Sequence, residues 1–203
     1  MSEKSVMGET ALHIRQGSAI EPRLDELAHL RITVFRDFPY LYDGSFDYEA
    51  NYLRRYAECP ESLFVLAEDG DALVGAATGM PLAKDVEEFR APFEQAGFNI
   101  DSVFYYGESV LLPSYRGRGI GKAFLTERER HAARHGFATV AFCAVERPEN
   151  HPLRPADYVP LHGFWRSQGY ERHPELATTF RWKDIGEPEE TDKPMVFWLK
   201  SLR

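Results

Sequence analysis

Cysteine is scarce in this sequence: Cys59 and Cys143 are the two present among 203 residues. Two thiols cannot build a disulfide framework, so a reducing compartment is the simpler expectation. Neither a Cys-x-x-Cys pair nor a His-Glu-x-x-His segment occurs, which removes the common zinc motifs, and no metal is expected. No run approaches the ~18 apolar residues of a membrane span. The N-terminal stretch from Met1 to Ser5 and beyond is polar, without the apolar core of a signal peptide. Together these absences predict a soluble, cytoplasmic protein with no membrane partner. Positive charge is also short, with 24 Lys and Arg against 32 Asp and Glu and a formal net charge of -8. A chain this acidic lacks the basic face that releases phosphate counterions, so nucleic acid is not an expected partner. Internal repeats and low-complexity tracts are absent too.

What is present is the length and apolar content of one domain, spanning 1–203 with a loose arm over 1–10. A short strand is expected at 11–15. Helix follows from Glu21-Pro22 to about 37, with Leu24, Leu27, Ala28, Leu30 and Val34 as its apolar stripe, and Pro39 ends it. An aromatic loop covers 38–44 and a second helix 48–58. Strand formers at 63–67 and 73–78 flank Asp69-Gly70-Asp71, which predicts a hairpin. Residues 85–96 read as a helix broken at Pro92. A strand spans 103–112, a helix 119–135, and a strand 139–145. Residues 146–160 are irregular, a short helix covers 161–168 before Gly169, and two late strands centre on 180–182 and 195–199. This mixed order fits an α/β or α+β sheet rather than a bundle or solenoid.

The informative segment is Arg116-Gly117-Arg118-Gly119-Ile120-Gly121, between a strand and a helix. Its glycines let an anion approach the backbone. The first helical turn offers about four N–H groups without intrahelical partners, and the helix dipole favours negative charge there. Arg116, Arg118 and Lys122 add positive charge. A Walker loop fails on two counts, because Arg116 occupies its first glycine and Ala123 its hydroxyl position. A Rossmann turn fails because Gly117-x-Gly119-x-Gly121 has the wrong last spacing. Arg/Gln-x-x-Gly-x-Gly/Ala does fit, and with the run from Ser109 to Gly121 in its strand-loop-helix-strand context the chain resembles the GNAT acyltransferase superfamily over roughly 60–200.

That resemblance implies a mixed, mostly antiparallel central sheet of about six to seven strands flanked by helices. One strand pair would splay to admit acyl-CoA. It implies acetyl-CoA as cosubstrate, with its pyrophosphate on Arg116, Gly117, Arg118, Gly119, Ile120, Gly121 and Lys122. Main-chain groups of Val110 and Leu111 would pair with pantetheine. The implied reaction is direct acyl transfer to a primary amine of a small molecule or a peptide N-terminus, and a homodimer is compatible. A non-catalytic acyl-CoA-binding or regulatory module on the same fold is the alternative.

Aminolysis of a thioester needs a base for the amine proton. Glu108, on the central strand, is the first candidate. Tyr105, Tyr106 and Val110 would partly desolvate it, and an arginine partner or a solvated edge is the plainer reading. Glu146 is its rival. The family's frequent acid, a tyrosine four residues before a Gly-aromatic pair, falls on Trp165, which has only an N–H donor. Tyr158, seven residues earlier, could reach in from its loop as the acid. Cys143 is expected to pack as a small apolar side chain, and His131 and His135 to share an outer helix face. The segments 38–43, 85–96 and 146–158 are expected to wall the acceptor site.

Overall fold

The computed structural model describes residues 10–202. The arm expected over 1–10 therefore lies, apart from Thr10, outside the described residues. Among the described residues, no helix is long and apolar enough to cross a membrane.

The strands are β1 (Ala11–Gln16), β2 (Leu63–Asp69), β3 (Ala72–Pro81), β4 (Val103–Tyr105), β5 (Ser109–Leu111), β6 (Thr139–Val145), β7 (Glu171–Lys183) and β8 (Glu190–Ser201). The helices are α1 (Leu24–Phe35), α2 (Phe46–Ala57), α3 (Glu87–Gln95), α4 (Ile120–Arg134) and α5 (His162–Ser167). They form one sheet in the order β1-β2-β3-β4-β6-β8-β7, with β5 paired to β3 off that path. Among the described residues only the β4–β6 pair is parallel. The eighth strand arises because the single strand expected over 103–112 is interrupted at Tyr106-Gly107-Glu108, so β4 and β5 are halves of one course.

Strand β2 shows why the core has two halves. Leu63, Val65 and Ala67 join a cluster with Phe124 and Leu125 of α4. Phe64 and Leu66 point the other way, into a cluster with Leu27 of α1 and Leu53 of α2. This is the two-residue alternation of a strand buried on both faces. The odd-numbered Val103 and Tyr105 of β4 likewise meet Phe89 and Phe93 of α3, while Phe104 faces the α4 side. So α1, α2 and α3 cover one face, and α4 and α5 the other.

Three further expectations change. The segment from Glu21-Pro22 is a 3-10 turn over Gly17–Arg23, and the α-helix proper starts at Leu24. Helix α3 runs unbroken through Pro92. Proline removes the N–H that would bond the Glu88 carbonyl, and the Thr178 hydroxyl of β7 donates to that carbonyl instead, at 2.8 Å. His131 is not on an outer face but buried, stacked on His135 with ring centroids 4.1 Å apart and packed on Phe104. Burial, then the charge of His135, pushes its pKa down to about 4.

Candidate active site

The interruption of the central strand opens the sheet. Strand β4 has β3 on one side and β6 on the other. The last link to β6 is the Tyr106 N–H, which donates to the Ala141 carbonyl at 2.8 Å. Beyond it β6 follows β8 to Val145, while β5 keeps to β3. The register decides which main-chain groups face the gap. Leu112 N–H donates to Val74 O and Thr78 N–H to Glu108 O, so the hydrogen-bonded pairs of this ladder are 112/74, 110/76 and 108/78. Val110 therefore spends its N–H and C=O on β3. Those of Ser109 and Leu111 point into the gap, where Leu111 O receives Arg116 Nε at 3.2 Å. Of the two residues expected to pair with pantetheine, Val110 is thus committed to β3, while the main chains of Leu111 and its neighbour Ser109 face the gap.

A buried arginine holds this bulge. Arg128 is 1% exposed. Its guanidinium donates to Thr78 O at 3.1 Å, Glu108 O at 3.0 Å and Ser109 Oγ at 2.7 Å, and lies 4.0 Å from the Tyr106 ring centroid. Burial lowers its pKa. The sequence carried a signal for it: Arg128 falls midway between Phe124 and Ala132, in the apolar stripe of α4.

At the end of β5 the chain turns through Arg116–Gly121 into α4. Gly117 (φ 76°) and Gly119 (φ 86°) are left-handed, a conformation that side chains resist. A Cβ on either would meet nothing within 4 Å, so the loop is open in front. Gly119 caps α4 without a side-chain hydrogen bond, and no acid stands in the first turn. The N–H groups of Ile120, Gly121 and Lys122 thus keep their positive end free. Arg118 donates to Ser114 O at 2.7 Å and stacks over Tyr115, while Arg116 reaches Asp37 at 3.5 Å. Loop, helix start and open strand edge suit a pyrophosphate followed by an amide-bearing arm.

The opposite face holds a pocket of about 630 Å³ including its open mouth. Phe35, Tyr40, Tyr42, Tyr52, Phe89 and Trp182 supply aromatic walls, and Gly107 of the bulge lies in its lining. Segments 38–43 and 85–96, expected to wall the acceptor site, both contribute to this pocket. Leu41, buried at φ 54°, sits between two pocket tyrosines in a conformation costing roughly 1 kcal/mol for a non-glycine residue. The third wall braces rather than lines: Arg147 donates to Pro39 O and Tyr40 O, both at 2.8 Å, and holds Asp184 with both ends of its fork at 2.7 and 2.9 Å.

Glu108 lies behind this pocket, 5% exposed. Its Oε2 is 2.5 Å from Arg31 Nη1 and accepts from the Tyr52 hydroxyl at 3.3 Å. The arginine partner foreseen as the plainer reading is therefore present. Arg31 also pairs with buried Glu49, through Nε. Burial opposes the charge on Arg31, and Glu108 and Glu49 outweigh it, holding its pKa well above the ordinary value. Tyr52, raised by burial and then by Glu108, keeps its proton and serves as a donor. Arg31, Glu49 and Tyr52 were not singled out from sequence, although a charge at position 31, four residues after Leu27 in an apolar stripe, was a usable signal.

The acetyltransferase (GNAT) family matches residues 27–170. The chain belongs to that family. Solved structures agree on the fold. A ribosomal-protein-alanine N-acetyltransferase from Brucella melitensis is 17% identical, covering 93% of this chain and 99% of that one, with a TM-score of 0.60. The yncA protein of Salmonella typhimurium, solved with its cofactor acetyl-CoA, is 11% identical over 95% of each chain, TM-score 0.58. An aminoglycoside 6'-acetyltransferase type Ii is 19% identical, covering 94% of this chain and 97% of that one, TM-score 0.56. No curated protein sequence matches significantly.

The other candidate groups fall around this GNAT frame. Tyr158 packs edge-on to Phe38 at 4.7 Å, under Arg154 at 5.0 Å, and burial raises its pKa. Its ring thus packs on the aromatic loop. Glu146 is held by Arg172 at 2.5 Å. Trp165 packs against Phe142 and Trp198 with centroids 5.0 and 5.1 Å away. Cys143 lines the pocket, but burial pushes its thiol up to about 12, leaving a protonated sulfur 3.0 Å from the Tyr105 hydroxyl. A thiol in that state is a poor nucleophile, which favours the packing role expected for it.

Proposed function

We propose that this GNAT protein transfers an acetyl group from acetyl-CoA directly to a primary amine. The observation that carries the reading is the open edge of β5, where main-chain groups of Ser109 and Leu111 face away from β3 and Leu111 O is held by the Arg116 side chain, continuous with an uncapped helix N-terminus behind two left-handed glycines. Arg116, Gly117, Arg118, Gly119, Ile120, Gly121 and Lys122 would take the pyrophosphate, and the β5 edge the pantetheine amides. The gap between β5 and β6 gives the thioester a route to the pocket on the far face.

In the reaction the free amine attacks the thioester carbonyl carbon, a C–N bond forms and the C–S bond breaks. The nitrogen proton passes through the Tyr52 hydroxyl to the Glu108 carboxylate, and the departing thiolate takes a proton from Tyr158 or from water. A thiolate leaves readily enough to need no dedicated acid. Calorimetric titration tests the first half. Acetyl-CoA should bind at micromolar concentration, and Gly119→Glu, which adds bulk and negative charge at the helix start, should abolish the heat. Absence of binding by the native protein at high micromolar ligand would overturn the reading.

A second reading is a non-catalytic acyl-CoA-binding module. Trp165 in place of a tyrosine and the Arg31 partner on Glu108 favour it. An amine panel with a free-thiol readout separates the two: binding of acetyl-CoA without thiol release across the panel selects the module.

A further inference from the structure

The acceptor pocket contains an unbalanced charge. Glu49 and Glu108, both buried, share the single guanidinium of Arg31. One negative charge is left over in a site with aromatic walls. Two carboxylate oxygens, Glu49 Oε1 and Glu108 Oε1, are buried without a hydrogen bond of ordinary geometry. Glu49 is 0% exposed and yet borders the pocket. The Tyr42 hydroxyl neighbours Glu49, and its pKa is raised by burial and then by Glu49. Leaving a buried charge short of partners is costly, and native proteins tolerate it where a ligand supplies the missing charge and donors.

We infer that the acceptor is a monocationic primary amine on a flat or apolar body, and that Glu49 is the residue that selects it. This inference rests on the acetyltransferase reading above. The ammonium supplies the one positive charge that Arg31 does not, donates to Glu49 Oε1, and lies against tyrosine faces that favour a cation. The apolar body takes the remaining walls, formed by Phe89 and Trp182 among others. One spare negative charge matches one cationic nitrogen. A polycation finds no second carboxylate among the described residues of the lining, where the other charged groups are Arg31 and Arg181, the latter already paired with Glu190 and Asp192. Deprotonation of the bound ammonium then yields the nucleophile, its proton leaving by the route already described.

The test uses the full chain. Acetyl-CoA affinity is first measured by calorimetry; if it fails to bind, the acetyltransferase reading falls before this one is reached. With acetyl-CoA bound, thiol release is followed with benzylamine, phenethylamine and tryptamine, and with spermidine and kanamycin as polycations. The monocations are expected to show kcat/KM at least tenfold above the polycations. In Glu49→Gln, which leaves Arg31 paired with Glu108, KM for the monocations should rise at least tenfold while acetyl-CoA affinity stays within twofold. A readout that needs no variant is competition in the native protein, where N-methylphenethylamine should inhibit at least tenfold better than 2-phenylethanol. Preference for polycations, an unchanged KM in Glu49→Gln, or equal inhibition by the ammonium and the alcohol would each overturn the assignment of Glu49.

Discussion

Replacing Arg128 by methionine asks whether a buried guanidinium holds the sheet open. The substitution keeps the apolar stem and removes the contacts to Thr78 O, Glu108 O and Ser109 Oγ. A hydrogen bond from a charged donor contributes about 1.5–3 kcal/mol, so the two carbonyl contacts represent roughly 3–6 kcal/mol. Removing the charge also removes its desolvation cost, which is several kcal/mol. Glu108 O retains the Thr78 N–H and is not orphaned. The net destabilisation expected is about 2–3 kcal/mol, or roughly 5–10 °C in Tm for a chain of this size. Acetyl-CoA affinity should fall by more than the stability loss explains, because Ser109 and Leu111 would no longer be fixed in the gap. Arg128→Lys should recover little, since one ammonium on a flexible stem does not reproduce a planar fork. Thermal melts with calorimetry of the folded variant decide the matter. A methionine variant with native Tm and native affinity would refute the argument that Arg128 keeps the bulge.

The remaining predictions are independent of it. Gly107→Ala would place a Cβ 2.2 Å from Tyr56 Oη and 2.8 Å from Thr78 Oγ1; overpacking at about 1–3 kcal/mol should lower Tm and displace Glu108, seen as a loss of turnover. Glu108→Gln should reduce kcat on the order of 100-fold with acetyl-CoA affinity retained, and unimpaired turnover would remove Glu108 from the chemistry. Thr178→Val leaves the Glu88 carbonyl to water and should cost about 1 kcal/mol in chemical denaturation. His131 has a depressed folded pKa near 4, so the unfolded chain binds the extra proton first as pH falls. Its contribution is fully present above about pH 6.5 and is lost down to about pH 4, up to about 3 kcal/mol. Comparing the pH dependence of denaturation in His131→Phe with the parent should show that slope removed.

The sequence by itself determined the parts whose chemistry is local. A glycine-rich turn between a strand and a helix can be read directly, because positive φ and an exposed helix N-terminus depend on a few consecutive residues; Gly117, Gly119 and the uncapped start of α4 lie where the pattern puts them. The hairpin β2–β3 and the strand–helix–strand core follow from periodicity for the same reason. Contacts between distant segments were decided only by the tertiary structure. Pro92 reads as a break until Thr178, far along the chain, satisfies the carbonyl it frees. A continuous strand over 103–112 becomes two, because Arg128 from α4 reaches across to hold the kink. Glu108 reads either as a base or as the partner of some arginine, and only the packing of α1 makes that partner Arg31, with Glu49 from α2 on the other side. The charge balance of the pocket is a sum over α1, α2 and the interruption between β4 and β5. No local pattern contains that sum, because it exists only once the chain has folded those elements onto one face of the sheet.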